Sequence, residues 1–309
     1  MITRDDIRAA HDRVRSHIRL TPSVTLEAGA LGLDHAVTLK LEHLQATGSF
    51  KLRGAFNNLL SRDIPEAGVV AISGGNHGAA VAHAATTLGI KSVVYVPEAI
   101  AVEVKLKRMR DFGAEVITVP GDTNAAFAAY ADHAKRTGAA EVHPYDGPWT
   151  LAGQGTVAKE ITEQAEIDTL LVSVGGGGLI GGVLSWMRGD VKVVSVETTE
   201  TACMAKSREA GELVQIKPGG ISASGLGANM IGDMGWEAAQ NWLGGSVVVS
   251  DGATIEAGKR LWNGARLVVE PGAATALAAL TSGAYRPEKD ERIGVLMCGG
   301  NAEPNWFEV

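Results

Sequence analysis

Short runs of β-branched and apolar residues alternate with longer, alanine-rich stretches along most of the chain. Seven runs have the composition of buried strands: AVTLKLE (36–42), GVVAIS (68–73), KSVVYVP (91–97), AEVITVP (114–120), TLLVSV (169–174), VKVVSVE (191–197) and IGVLMC (293–298). The stretches between them, such as GNHGAAVAHAATTLG (75–89) and NAAFAAYADHAKRTG (124–138), favour helices. Because strand and helix patterns alternate, we predict an α/β fold whose parallel sheets are covered by helices on both faces.

The bulk composition agrees with a globular enzyme and argues against other classes of protein. Of the 309 residues, 45% are hydrophobic and 20% are charged, which fits one large domain or two smaller ones. The formal net charge is −7, and no basic cluster alternates with aromatic residues, so nucleic acid is not expected as a partner. The sequence contains no obvious linker or repeat. Any second domain is therefore expected as an insertion within the first.

The cysteines and the N-terminal segment bear on where the protein works. Cys203 and Cys298 are the only cysteines and have no paired spacing, which argues against a disulfide framework or a zinc site. The first 20 residues carry charges throughout and offer no apolar signal-peptide core. The longest uncharged run, residues 169–187, has glycines at its centre and suits a strand, a loop and a helix better than a membrane span. We expect a cytoplasmic protein with no membrane partner.

Three of the predicted strands are followed by loops of unusual sequence. These loops are TGSFKLRG (47–54), SGGNHG (73–78) and GGGGLIGG (175–182). Ligands of parallel sheets bind at the carboxyl ends of the strands, where such loops lead into helices. We therefore expect the three loops to meet around one ligand.

The glycine loop at 175–182 has two interpretations. Its amides and the dipole of the following helix form an anion site that suits a phosphate. Alternatively, the six residues from Gly176 fit G-x-G-x-x-G and Glu197 ends the next strand, as in a dinucleotide site. An NAD-dependent oxidoreductase is therefore one alternative function, although it leaves Lys51 without a role. A Walker A loop is excluded, since no Gly-Lys-Ser/Thr follows the glycines.

Lys51 stands just inside a predicted helix start, behind the glycine and the serine of TGSFK. A desolvated lysine is a nucleophilic amine at neutral pH and can form a Schiff base with a carbonyl compound. A phosphate-bearing aldehyde needs both such a lysine and a phosphate site, and pyridoxal 5′-phosphate (PLP) is that molecule. Lys51 and the glycine loop together therefore predict a PLP site.

Several motifs in one order resemble those of a known enzyme family. They are TGSFKLRGA, SGGNHGAAVA, AGQGT, VGGGGLIGG, LVVEPGAA and CGGN. From about residue 17 to residue 302 the chain resembles the serine/threonine dehydratases of PLP fold type II, a group that includes threonine ammonia-lyases and serine racemases. The resemblance implies a tryptophan synthase β-like fold of two three-layer αβα domains with mostly parallel sheets, and commonly a homodimer. We expect a large PLP-binding domain from residues 1–60 and 147–309 and a smaller inserted α/β domain from residues 61–146.

The resemblance also implies roles for individual residues. Lys51 would be the catalytic residue and the Schiff-base lysine. The residues implied to bind the cofactor are Phe50, Lys51, Asn76, Gly175, Gly176, Gly177, Gly178, Leu179, Glu270 and Cys298. The residues implied to bind the substrate are Ser73, Gly74, His77 and Tyr145. Within the first set, Asn76 would hydrogen-bond the ring hydroxyl and Cys298 would face the pyridine nitrogen.

The activity that the resemblance implies is β-elimination from a β-hydroxy amino acid, which yields a 2-oxo acid and ammonia. Lys51 would take the Cα proton as a general base. L-Threonine and L-serine are the expected substrates, and 3-hydroxyaspartate is an alternative because Tyr145 would favour a larger or more polar side chain. A binding module that keeps the fold without the chemistry is a third class, beside the lyase and the oxidoreductase.

Departures from the family pattern lead to further expectations. Cys203 stands six residues after Glu197, where metal-activated relatives carry a second carboxylate, so we expect no metal site. Gly74 stands where serine racemases carry a serine, so we expect little D-amino acid. No further α/β pattern follows the family motifs, so we expect no feedback inhibition by isoleucine. Arg53 is interpreted as a solvated or packing cation.

Overall fold

The computed structural model of the protein describes residues 1–121 and 123–308, and its strands form two sheets. The strands are β1 (Ser23–Leu26), β2 (Val37–Lys40), β3 (Val69–Ile72), β4 (Ser92–Pro97), β5 (Glu115–Val119), β6 (Ala140–Glu141), β7 (Thr169–Ser173), β8 (Lys192–Thr198), β9 (Leu243–Val249) and β10 (Ile293–Leu296). All seven strand runs expected from the sequence are present. The α/β fold with mostly parallel sheets is therefore confirmed.

The order of the strands brings the motif loops together. The six-stranded sheet has the order β1-β2-β10-β7-β8-β9, with β1 antiparallel to β2 and the other neighbours parallel. Since β10 lies between β2 and β7, the lysine loop, the CGGN motif and the glycine loop leave the sheet side by side. The four-stranded sheet has the order β5-β4-β3-β6 and is wholly parallel. The domain boundaries at residues 60 and 147 stay a prediction.

Three strands were not among those predicted, each for a local reason. β1 is short and its residues alternate little in polarity, since they lie half-buried or exposed at a sheet edge. β6 has two residues, too few for a periodic pattern. β9 contains two glycines after its first residue, and glycine is depleted in strands. Pairing with a longer neighbouring strand, and not local propensity, makes these segments extended.

Helices cover the sheets and carry the functional loops. The helices are α1 (Arg4–Val14), α2 (Lys51–Leu60), α3 (Asn76–Thr87), α4 (Glu103–Asp111), α5 (Thr123–Thr137), α6 (Pro148–Gln164), α7 (Gly178–Met187), α8 (Cys203–Ala210), α9 (Ala223–Leu226), α10 (Asp233–Trp242), α11 (Asp251–Ala265) and α12 (Pro271–Thr281). In β4, Val93 and Tyr95 pack towards α5, whereas Val94 and Val96 pack towards α3 and α4, so helices cover both faces. Within the described part of the chain, no helix combines the length and the hydropathy that crossing a bilayer requires.

A buried ion cluster fixes α2, the helix that begins with Lys51. Arg53 in this helix is fully buried and donates to the carboxylates of Glu42 and Glu160 at 2.6–2.7 Å. Lys40 at the end of β2 donates to Glu160 at 2.8 Å. The interpretation of Arg53 as a solvated cation is therefore wrong, and it is a packing cation. Since removing one partner would leave an uncompensated buried charge, the cluster ties α2 firmly to β2 and α6.

Candidate active site

One cavity of about 630 Å³ collects the residues that the sequence singled out. Every residue predicted to bind the cofactor or the substrate lines it: Phe50, Lys51, Ser73, Gly74, Asn76, His77, Tyr145, Gly175, Gly176, Gly177, Gly178, Leu179, Glu270 and Cys298. A larger surface depression of about 1010 Å³ beside Arg260 and Tyr285 contains none of them. The three loops therefore meet around one space, and their roles in binding remain predictions.

Lys51 is held in this cavity by backbone contacts. It is the first residue of α2, and the amide of the preceding Phe50 donates to the carbonyl oxygen of Cys298 at 3.0 Å. The Nζ atom of Lys51 donates to the carbonyl oxygen of Pro144 at 2.6 Å. Desolvation lowers the pKa of Lys51 to about 8, against the opposing charge of Glu270. An amine with this pKa is partly unprotonated near neutral pH and can act as a nucleophile or as a base.

The glycine loop between β7 and α7 is packed from behind by other residues. A Cβ atom at Gly176 would fall 2.3 Å from the ring of Tyr145, and one at Gly178 would fall 2.7 Å from the Tyr145 carbonyl oxygen. Gly177 has a φ of +89°, and a Cβ atom there would fall 2.9 Å from Ile231. Only glycine fits such positions, so the wall that the loop adds to the cavity is backbone.

This loop suits an anion, and the cavity as a whole fits PLP. The helix α7 begins at Gly178, and the first amides of a helix have no partner inside the helix. Those amides and the helix dipole attract a phosphate. The backbone from Gly175 to Leu179 would thus hold the cofactor phosphate, and Lys51 would reach its aldehyde carbon. The donor set in the cavity is the one that a phosphate-bearing aldehyde requires.

Asn76 connects two further motifs at the cavity wall. Its Nδ2 atom donates to both carboxylate oxygens of Glu270, at 2.9 and 3.0 Å. Its Oδ1 atom accepts from Nδ2 of Asn301 at 2.7 Å. Burial raises the pKa of Glu270, although the hydrogen bond from Asn76 opposes this shift. The amide of Asn76 therefore offers a donor group at the face of the cavity where Glu270 lies.

Cys298 contributes a neutral group to the cavity. It follows β10 and is only 3% exposed. Burial raises the pKa of its thiol well above the usual value, so the side chain remains a thiol at neutral pH. A thiol is a weak donor, and it would leave a pyridine nitrogen that faces it unprotonated.

The residues predicted to bind the substrate surround the N-terminus of α3, which begins at Asn76. The Ser73 hydroxyl accepts from the Gly75 amide at 3.1 Å. Burial lowers the pKa of His77 to about 3, and its Nε2 atom hydrogen-bonds the carbonyl oxygen of Val142 at 2.9 Å. The ring of His77 is thus neutral and fastens α3 to the segment after β6. Substrate binding at this end remains a proposal, which the anion preference of a helix N-terminus supports.

Glu197 does not stand where a dinucleotide site needs its acid. Its buried carboxylate accepts from the amides of Met204 and Ala205, both at 2.8 Å, and lies 3.6 Å from the Cys203 sulfur. It therefore caps α8 and is not available to a ribose. Among residues 1–121 and 123–308, no group of three His, Cys, Asp or Glu side chains is placed to hold a metal ion.

Sequence reasoning missed several residues that shape the site. Lys105 and Ile100 line the cavity, and Asn301 and Arg108 stand behind Asn76. Lys105 and Arg108 belong to the run EVKLKRMRD, whose charges look like those of any solvated helix face. Only the asparagine had a signal, since it ends the CGGN motif.

Three comparisons with known proteins agree with this geometry. The family model described as "Pyridoxal-phosphate dependent enzyme" matches residues 14–299. The biosynthetic L-threonine dehydratase of Salmonella typhimurium is 34% identical over 92% of this chain, which spans only 56% of that enzyme's length. The beta-hydroxyaspartate dehydratase of Paracoccus denitrificans is 32% identical over 97% of this chain and 96% of its own length.

A solved structure extends the similarity to three dimensions. The crystal structure of a threonine deaminase from the organism abbreviated T.th. superimposes with a TM-score of 0.92 at 32% identity, over 98% of this chain and 99% of that one. Sequence, fold and the shared set of motif loops thus lead to the same group of enzymes. The chain belongs to the family of pyridoxal-phosphate dependent enzymes and, within it, to the serine/threonine dehydratase-like enzymes of fold type II.

Proposed function

We propose that the protein is a PLP-dependent ammonia-lyase that dehydrates and deaminates a β-hydroxy amino acid, with L-threonine or L-serine as substrate. The products are a 2-oxo acid and ammonia. One observation carries the proposal: a lysine amine with a pKa lowered to about 8 shares a cavity with an amide-lined anion site and a neutral thiol. The similarity to a threonine dehydratase supports the same chemistry.

The residues of the cavity divide the chemical work among them. Bound PLP withdraws electrons from the substrate Cα atom and so makes its proton acidic. The Lys51 amine then accepts this proton, and the carbonyl group of Pro144 keeps the amine in place. Because Cys298 leaves the ring nitrogen without a proton, negative charge at Cα is short-lived, which favours departure of the β-hydroxyl over transamination.

A second substrate, 3-hydroxyaspartate, has one structural feature in its favour. Lys105 in α4 lines the cavity at the side of Ile100 and Val102, and its charge is felt by the Glu270 carboxylate. A cation at this place suits a carboxylate on the substrate side chain, beyond the one at Cα. The relative in Paracoccus denitrificans is named for such a substrate.

The absorption spectrum and a substrate panel test the proposal. We expect a yellow protein whose band is lost on borohydride reduction, with PLP then attached to Lys51 in the peptide digest. The reduced protein should be inactive, and the untreated protein should release a 2-oxo acid from L-threonine, L-serine or 3-hydroxyaspartate. A colourless protein that binds NAD would favour the oxidoreductase instead. A yellow protein inert to all three amino acids would favour a binding module.

We also propose a cytoplasmic location and a homodimer. The first rests on the two unpaired cysteines and the charged N-terminal segment, and the second on the family resemblance. Light scattering of the purified holoprotein tests the dimer, and a mass of about 32.1 kDa would contradict it.

A further inference from the structure

A chain of hydrogen bonds leads from α4 to the cavity wall. The guanidinium of Arg108 donates through Nη1 to Oδ1 of Asn301, and through Nη2 to the carbonyl oxygen of Thr47 at 3.0 Å. The Nδ2 atom of Asn301 donates to Oδ1 of Asn76 at 2.7 Å and to the Thr47 carbonyl oxygen at 2.9 Å. Asn76 then donates to Glu270. Five residues from distant segments of the chain are thus linked in one network.

The two ends of this network have fixed polarity. A guanidinium can only donate hydrogen bonds, and a carboxylate can only accept them. A carboxamide has nearly the same shape after a rotation of 180°, so its orientation is set by its partners. Because Arg108 needs an acceptor, Asn301 turns its oxygen towards it and its amino group towards Asn76. Asn76 must then turn its own oxygen to Asn301 and its amino group to Glu270.

The network is tightly enclosed, which leaves no room for another arrangement. A Cβ atom at Gly48 would fall 2.3 Å from Oδ1 of Asn301 and 3.3 Å from Nη2 of Arg108. The amide of Gly300 donates to the carbonyl oxygen of Gly48 at 2.9 Å. The lysine loop and the CGGN motif therefore close around the Asn301 side chain.

We infer that Arg108 and Asn301 are positioning residues that hold the carboxamide of Asn76 with its amino group facing the cavity. Neither residue lines the cavity, whereas Asn76 does. The pair therefore acts on the cofactor site only through Asn76, which presents a donor where a cofactor ring oxygen would need one. This role is separate from the choice of amino-acid substrate and goes beyond the proposed lyase activity.

The decisive variant is Asn301→Asp, which keeps the shape of the side chain and its contact with Arg108. An aspartate presents an oxygen to Asn76, so the Asn76 carboxamide should turn and present its own oxygen to Glu270. We expect the Kd of PLP for the apoprotein to rise about tenfold or more, since a hydrogen bond to a charged group is lost. We also expect the visible absorption band of the bound cofactor to shift.

Variants of the arginine provide the matched comparison. Arg108→Met removes the donor and should raise the Kd of PLP, whereas Arg108→Lys retains a donor and should recover most of the affinity. Arg110→Met is the control, because Arg110 lies on the same helix, is exposed and pairs only with Glu103 among the ion pairs of the described residues. It should bind PLP as the unmodified protein does.

Three measurements distinguish positioning from a purely structural role. The thermal midpoint of the apoprotein, the Kd of PLP and the absorption maximum are recorded for each variant. If Asn301→Asp and Arg108→Met lower only the midpoint, with the Kd and the spectrum unchanged, the inference is wrong. In the double variant the losses should not add, because both act through Asn76. Additive losses would equally overturn it, and should Arg108→Met not fold, Asn301→Asp and Arg108→Lys decide alone.

Discussion

The Nζ atom of Lys51 lies 2.6 Å from the carbonyl oxygen of Pro144, 93 residues further along the chain. A carbonyl oxygen can accept from an ammonium or from a neutral amine, so this contact holds the lysine in either protonation state. The next residue, Tyr145, packs its ring against Gly176 in the glycine loop. The two neighbouring residues Pro144 and Tyr145 therefore connect the amine to the anion site, which are the two parts that a PLP enzyme has to align.

Replacing Lys51 with alanine should reduce kcat/KM by about 1000-fold or more, because the nucleophile and the base are the same atom. PLP should still bind without a covalent bond, since the backbone of the glycine loop is unchanged. Release of the 2-oxo acid and the PLP content are the measurements. Lys107→Ala, on the exposed side of α4, is the control and should be fully active. Substantial activity in Lys51→Ala would refute the assignment of the base.

Replacing Gly176 with alanine should weaken PLP binding about tenfold or more, because the new methyl group would overlap the Tyr145 ring. The loop must then move out of the shape that its amides need. The Kd of PLP for the apoprotein checks this. Gly252→Ala is the control, since a Cβ atom there would meet only the Ser250 hydroxyl at 3.8 Å. Equal affinities for the two variants would contradict the role of the loop.

Racemisation should be a minor reaction, since Gly74 offers no side chain to return a proton to the second face of Cα. A Cβ atom at this position would fall 2.8 Å from Cδ1 of Ile100, so a new serine would first have to displace that side chain. We expect Gly74→Ser with Ile100→Ala to form more D-serine than Gly74→Ser alone. The assay is D-serine from L-serine in deuterated water. D-serine appearing as fast as pyruvate in the unmodified protein would contradict the prediction.

Replacing Lys105 with methionine should lower kcat/KM for 3-hydroxyaspartate about tenfold, with a much smaller effect on L-serine, if a substrate carboxylate binds there. The ratio of the two specificity constants is the measurement. Lys107→Met is the matched control on the same helix, where the lysine pairs with Asp111 at 2.6 Å. An equal loss for both amino acids would show that Lys105 serves the cofactor site or the fold.

Acid should destabilise the apoprotein through His77. Burial, with a contribution from Lys51, lowers the pKa of His77 from 6.5 to about 3. Between these values the unfolded chain binds a proton that the folded protein does not, so the free energy of unfolding should fall as the pH falls from about 6.5 to about 3. His77→Gln removes this dependence while keeping a donor near Val142. Urea midpoints at about pH 7 and about pH 5 test it, and a stability difference between the two proteins that does not change with pH would rule it out.

The sequence by itself determined the elements and the loops that carry the chemistry. Strand runs and alanine-rich helices are local patterns, so all seven predicted strands and the helices at 76–87 and 123–137 appear where expected. The motif loops also followed from the sequence, because parallel strands present their carboxyl ends, and hence the loops after them, at one edge. This is why every predicted site residue lines one cavity.

Only the tertiary structure decided which side chains support those loops and how they are turned. Arg108 reaches Asn301 across 193 positions of the chain, and Asn76 reaches Glu270 across 194. Arg53 looked like an ordinary charged residue but is buried between Glu42 and Glu160. Such partners are chosen by packing between distant segments, and polarity or helical spacing carries no record of them. The orientation of the Asn76 carboxamide is therefore a property of the folded protein, set by a donor and an acceptor that lie on opposite sides of it.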